Sequence, residues 1–105
     1  MAVSNRDAVL SLVQQIVWRH LQHLPVKVFL YGSWARNEER TTSDLDLAVW
    51  SDAPLPGGVL TKLRSALEEA PIPFPVEVVD LRMADESFIH QVKKEGIEWR
   101  DCDNA

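Results

Sequence analysis

Cysteine is nearly absent. Cys102 is the single one in 105 residues, so no disulfide can form within the chain. A reducing compartment, the cytoplasm, is the expected setting. Long apolar runs are missing too, and none approaches the roughly 20 residues that a membrane span requires. The N-terminus lacks a basic segment followed by an apolar one, so no secretion signal is expected. Positive charge is scarce: 11 Lys and Arg against 16 Asp and Glu leave a formal net charge of −5. Such a balance argues against strong non-specific binding of nucleic acid, which depends on neutralising phosphates. It does not argue against a nucleotide that arrives with its metal. Repeats and low-complexity stretches are also lacking. The length suits one domain spanning residues 1–105, with a modest core and no room for a second domain that would recognise a small substrate.

What is present centres on two short segments. Val26 to Tyr31 is an apolar, β-rich run that stops at Gly32-Ser33, the pattern of a buried strand ending in a tight turn. After a ten-residue spacer from Ser33 come Asp44-Leu45-Asp46, and Leu47, Ala48 and Val49 continue from them as a second strand. Two positions apart on a strand, both carboxylates point to one face. Adjacent anions make each other harder to ionise, and a divalent cation between them relieves this. Oxygen ligands suit Mg²⁺ or Mn²⁺, and Mg²⁺ commonly comes with substrate phosphates. Gly32 lets backbone approach a ligand closely. Ser33 offers a hydroxyl and an amide, Arg36 a positive charge, and a short helix over 34–38 would add its N-terminal amides. A phosphate turn beside metal-binding carboxylates is the equipment of nucleotidyl or phosphoryl transfer.

This pairing, Gly32-Ser33 with Asp44 and Asp46 at that spacing, resembles the signature of the DNA polymerase β-type nucleotidyltransferase superfamily. With Ala35, Arg36, Ser43 and Leu47 it most closely resembles the minimal nucleotidyltransferase (MNT) proteins of prokaryotes. The resemblance implies the nucleotidyltransferase core as the fold. It implies two Mg²⁺ ions, with Mn²⁺ as the alternative, held by Asp44, Asp46 and a third carboxylate on a neighbouring strand. It also implies ATP or another NTP as donor, and antitoxin action on a HEPN-domain protein by transfer of AMP to one of its tyrosines. Glu77 occupies the place where the family commonly has Asp, and is preferred over Asp80, which strand alternation puts on the other face. It would act as general base toward the attacking hydroxyl or hold the catalytic metal. The extra methylene of Glu moves its oxygens by about an ångström, a displacement that can cost about a hundredfold in rate. A second reading is therefore a weakly catalytic or non-catalytic antitoxin that neutralises its partner by binding. Transfer to a small molecule such as an aminoglycoside fits the short chain less well. The family's usual Gly after the Arg is Asn37 here, and Asn tolerates the left-handed backbone that the turn needs.

Along the rest of the chain, Ser4 is the expected cap of a first helix whose apolar stripe runs through Val9, Leu12, Val13, Ile16, Val17, Leu21 and Leu24 and ends at Pro25. His20 and His23 read as helix-end residues rather than a metal pair. Ser43 braces the turn before Asp44 or takes part in simple turn chemistry. A second helix is expected over 59–70, a third strand over 76–81, and a third helix, capped by Asp85 or Ser87, up to Glu95 with Gly96 as its stop. Residues 97–100 would form a short last strand or an extended tail. Trp34, inside the motif, either stacks on a base, covers the metal site or packs on the sheet. Lys93, Lys94 and Arg100 form a small basic cluster. The fold class is α/β: a small mixed sheet of about four strands with helices packed mainly on one side. No membrane association is expected, and the oligomeric state is left open.

Overall fold

A computed structural model describes residues 5–38 and 44–99. Helix α1 (Arg6–Leu21) is capped by Asn5, whose side chain accepts from the Ala8 amide at 3.1 Å. The expected cap, Ser4, lies outside the described residues. Strands β1 (Val26–Tyr31) and β2 (Leu45–Ser51) follow, then α2 (Val59–Glu69), β3 (Val76–Asp80), α3 (Glu86–Glu95) and β4 (Ile97–Trp99). Asp85 caps α3 by accepting from the Phe88 amide at 2.8 Å, so of the two expected caps it is Asp85 that serves.

The four strands form one mixed sheet in the order β3-β2-β1-β4. β1 runs antiparallel to both β2 and β4, while β2 and β3 are parallel and joined through α2. Alternation divides the strand residues between two cores. Val28, Leu30, Leu45, Leu47 and Val49 face α1 and α2 in the larger core. Phe29 and Ala48 face the other way, onto Leu81 and Val92. Val28, Phe29 and Leu30 of β1 are consecutive buried apolar residues because both faces of the strand are covered there. At the end of β1 and the start of β2, Tyr31 and Asp46 are half-buried and Asp44 is exposed.

Two glycines are required by close contact. Gly96 ends α3 as expected, but with φ −78 rather than a left-handed conformation. A Cβ there would lie 2.6 Å from the Val92 carbonyl and 3.1 Å from that of Leu30. Its role is to let α3 close down on β1. Gly32 is the second, and it belongs to the site. No helix among the described residues is long and apolar enough to cross a membrane.

Candidate active site

The expected helix over 34–38 is instead a single 3-10 turn, Gly32–Trp34, followed by further turns. The Ala35 and Arg36 amides both bond to the Gly32 carbonyl, at 3.1 and 3.2 Å. Asn37 then enters the left-handed region at φ 58 and stops any helix from growing. The tolerance of Asn for that conformation is therefore used. Gly32 itself has φ +76, which places the turn immediately at the end of β1.

Strand pairing assembles the carboxylates. Tyr31 is registered opposite Asp46 on β2, and Asp46 opposite Glu77 on β3. Directly opposed residues share a face, so Tyr31, Asp46 and Glu77 form one row across three strands. Tyr31 packs edge-on against Phe88 of α3, with ring centroids 5.6 Å apart, which fixes the row on the α3 side. Asp44 stands exposed just before β2, two positions from Asp46 and on the same side by alternation. Asp80 is turned away. Its side chain accepts from the Arg82 amide at 3.0 Å and caps a second 3-10 turn, Leu81–Met83. The structure therefore brings Glu77, not Asp80, beside Asp46.

The electrostatics follow from this row. Partial burial, then the charges of Glu77 and Asp44, push the Asp46 carboxyl above its ordinary value. Burial, then Asp46 and Glu77, push the Tyr31 phenol up to about 12. Both groups resist becoming anionic first because they are partly buried and then because the row is already rich in negative charge. The Gly-Ser turn closes on the same point: a Cβ on Gly32 would lie 2.6 Å from Asp46 Oδ2. A phosphate-type turn and a carboxylate are thus in contact through the absence of a side chain.

Among the described residues, no three His, Cys, Asp or Glu side chains converge to enclose a metal unaided. Mg²⁺ characteristically takes one or two protein carboxylates and completes its shell with phosphate oxygens and water. Asp46, with Gly32 close against it and Asp44 two positions away, fits that use. His20 instead makes a 2.9 Å hydrogen bond between its Nδ1 and the Ile16 carbonyl, in keeping with a helix-end residue.

Other expected positions resolve as follows. Arg36 is exposed, and its Nε donates to Glu38 Oε1 at 2.8 Å. It lines a cavity of about 170 Å³ between the Gly-Ser turn and α3, together with Tyr31, Phe88, Gln91 and Glu95. Ser43, like Arg100, lies outside the described residues. Trp34 packs into the larger core at 3% exposure, against Phe74 and beneath the Arg6 guanidinium. Of the three roles open to it in sequence, packing is the one realised. Lys93 lies over the Trp50 ring at 4.2 Å. The part of Tyr31 in the row had no signal in the linear sequence, since it depends on the antiparallel register. The α3 wall of the cavity was missed for a like reason.

Comparison with known proteins bears on this arrangement. The family model described as Polymerase beta, Nucleotidyltransferase matches residues 15–102. A probable protein adenylyltransferase, MntA, of Haemophilus influenzae is 31% identical over 67 residues, covering 64% of this chain and 59% of the relative. The chain thus spans well under two thirds of the length of that curated relative. A chain of a toxin–antitoxin structure with AMP-PNP superposes with a TM-score of 0.61 at 24% identity, covering 96% of this chain and 77% of that one. A chain from the complex of a tri-AMPylated Shewanella oneidensis HEPN toxin with an MNT antitoxin gives 0.58 at 24% identity, covering 90% and 72%. At that identity the two structures speak for the fold.

Proposed function

Because the chain belongs to the polymerase β-type nucleotidyltransferase family, we propose that it transfers AMP from ATP to a protein hydroxyl, a tyrosine of a HEPN toxin, and so acts as the antitoxin. The single observation that carries the reading is the Tyr31–Asp46–Glu77 row, with Asp44 beside it and Gly32 against Asp46. Asp44 and Asp46 would hold Mg²⁺, and Glu77 the acceptor side of the site. When bound, the cation supplies charge neutralisation at the α-phosphorus and lowers the pKa of the acceptor hydroxyl. Gly32 and Ser33 receive the β- and γ-phosphates through backbone amides and the Ser33 hydroxyl, and Arg36 adds charge near them. Glu77 takes the proton of the acceptor hydroxyl as its oxygen bonds to the α-phosphorus and pyrophosphate leaves. The reading extends to a single domain working in the cytoplasm.

Support comes from two sides. The Haemophilus relative is a probable protein adenylyltransferase, and an MNT antitoxin is found with an AMPylated HEPN toxin in the Shewanella complex. The acidic chain and its anion-rich row suit a metal-bound nucleotide and a protein acceptor better than nucleic acid.

Co-expression with a HEPN toxin tests the proposal. Wild type should restore growth, and the Asp44→Asn, Asp46→Asn double variant should fail to do so while still forming the complex. Growth restored equally by the double variant would establish neutralisation by binding instead.

A further inference from the structure

Glu77 sits on an edge. In the order β3-β2-β1-β4, no strand among the described residues lies outside β3. The Leu45 amide bonds to the Pro75 carbonyl at 3.0 Å, and Asp46 is registered with Glu77. Parallel-ladder alternation then turns the backbone of Pro75, Glu77 and Val79 toward β2, and that of Val76 and Val78 outward. The side chain of Arg64, from α2, confirms the outward direction. Its Nε and its terminal Nη2 both donate to the Val78 carbonyl, at 3.2 and 2.8 Å. Beside this edge runs an open groove of about 390 Å³ lined by Arg64, Glu68, Val76, Glu77, Val78 and Val79.

We propose that the β3 edge captures the acceptor as an added antiparallel strand: an extended segment of the partner protein, flanked by Lys or Arg, whose tyrosine lies opposite Glu77. The inference rests on the nucleotidyltransferase reading above. A strand added there bonds to Val76 and Val78, so the residue facing Glu77 is a non-hydrogen-bonded pair, the kind with the closer side chains. Its side chain emerges on the same face as Glu77 and Asp46. The tyrosine hydroxyl is thereby delivered to the carboxylate row by backbone pairing, with little demand on the surrounding sequence. Charge complementarity selects the flanks. Glu68 and Glu77 line the groove, and its single lining cation, Arg64, is turned onto the Val78 carbonyl. Arg64 covers that carbonyl until a strand replaces it, which also guards the edge against unwanted pairing.

The test uses the whole chain and the synthetic peptide acetyl-Lys-Lys-Val-Tyr-Val-Lys-Lys-amide at millimolar concentration. Amide hydrogen exchange of Val76 and Val78 and AMP incorporation from ATP and Mg²⁺ are both followed. The peptide should slow exchange at both amides by about tenfold or more, the signature of newly paired backbone. N-methylation of its two valines, whose amides would face β3, should abolish protection and labelling. N-methylation of its tyrosine, whose amide faces away, should preserve both. Arg64→Ala should tighten peptide binding by about fivefold, roughly the equivalent of one net hydrogen bond no longer displaced. No protection by the unmethylated peptide overturns the proposal. So does equal labelling of the two methylated forms, or protection that grows with protein concentration alone and marks a second copy on the edge. If the edge amides are protected but neither the peptide nor an intact HEPN protein gains AMP, the nucleotidyltransferase reading fails and the edge site stands. AMP transfer to the intact protein without edge protection has the reverse meaning.

Discussion

Gly32→Ala separates the geometry of the site from the stability of the fold. The residue has φ +76, and a Cβ would lie 2.6 Å from Asp46 Oδ2. Two costs arise. An L-residue in the left-handed region costs about 1–2 kcal/mol. Ordinary van der Waals contact begins at 3.4 Å, so the carboxylate must retreat by about 0.8 Å. That retreat is cheap for a side-chain end, but a misplacement near 1 Å can lower catalysis by about a hundredfold. Gly58→Ala is the matched control: φ there is +80 and nothing lies within 4 Å of the added Cβ. Both variants should lose about 1–2 kcal/mol in chemical denaturation. Only Gly32→Ala should lose AMP transfer to a HEPN protein, by about a hundredfold, together with affinity for Mn²⁺. If Gly32→Ala folds and keeps activity within twofold of Gly58→Ala, the contact with Asp46 does not position the chemistry.

Asp46→Asn should stabilise the metal-free protein: two carboxylates about 5 Å apart and screened by solvent repel by about 1 kcal/mol, or roughly 4–8 °C in thermal melting. Mn²⁺ should raise the melting point of wild type and not of the variant. Because the folded pKa of Asp46 is raised, its contribution to stability is fully present below 3.8 and is lost as pH rises through the folded value. Divalent-ion binding, which needs the carboxylate, should accordingly fade at a higher pH than for an ordinary Asp. Tyr31 is the one tyrosine in the chain, so phenolate absorbance reports it alone. It should titrate near 12 in the folded protein and near 10.0 in denaturant, with stability complete below 10.0 and lost toward 12; Asp46→Asn should lower the folded value. Glu77→Gln should reduce AMP transfer by about a hundredfold or more, as expected for loss of a general base. Asp80→Ala should cost about 1 kcal/mol through its lost cap and leave the rate per folded molecule unchanged.

Much of the fold was legible because period and punctuation agree along the chain. Val26 to Tyr31 reads as a strand, Asp85 as one of two candidate caps, and Gly96 as a stop. The departures come from contacts that only the folded chain makes. Gly96 reads as a helix stop and is one, but its need for close approach of α3 to β1 shows only in the folded chain. The stretch after Gly32 reads as a helix, but the Gly32 and Asn37 conformations hold it to tight turns. Trp34 is open in sequence to stacking, covering the metal site or packing, and only the folded chain shows that it fills the core behind the site. Glu77 is favoured over Asp80 by the family resemblance, and alternation adds only that the two lie on opposite faces. Its register with Asp46, its place on an open edge, and the inclusion of Tyr31 in the row all depend on which strands pair, and no local pattern carries that.

The central claim is that Asp44, Asp46 and Glu77 serve AMP transfer to a protein hydroxyl. The most direct test is the intact mass of a HEPN protein incubated with this chain, ATP and Mg²⁺, beside the Asp44→Asn, Asp46→Asn variant. A gain of one or more AMP masses with wild type, absent with the variant, is the predicted result. An unchanged mass in a stable wild-type complex would contradict the account and leave the protein a binding antitoxin.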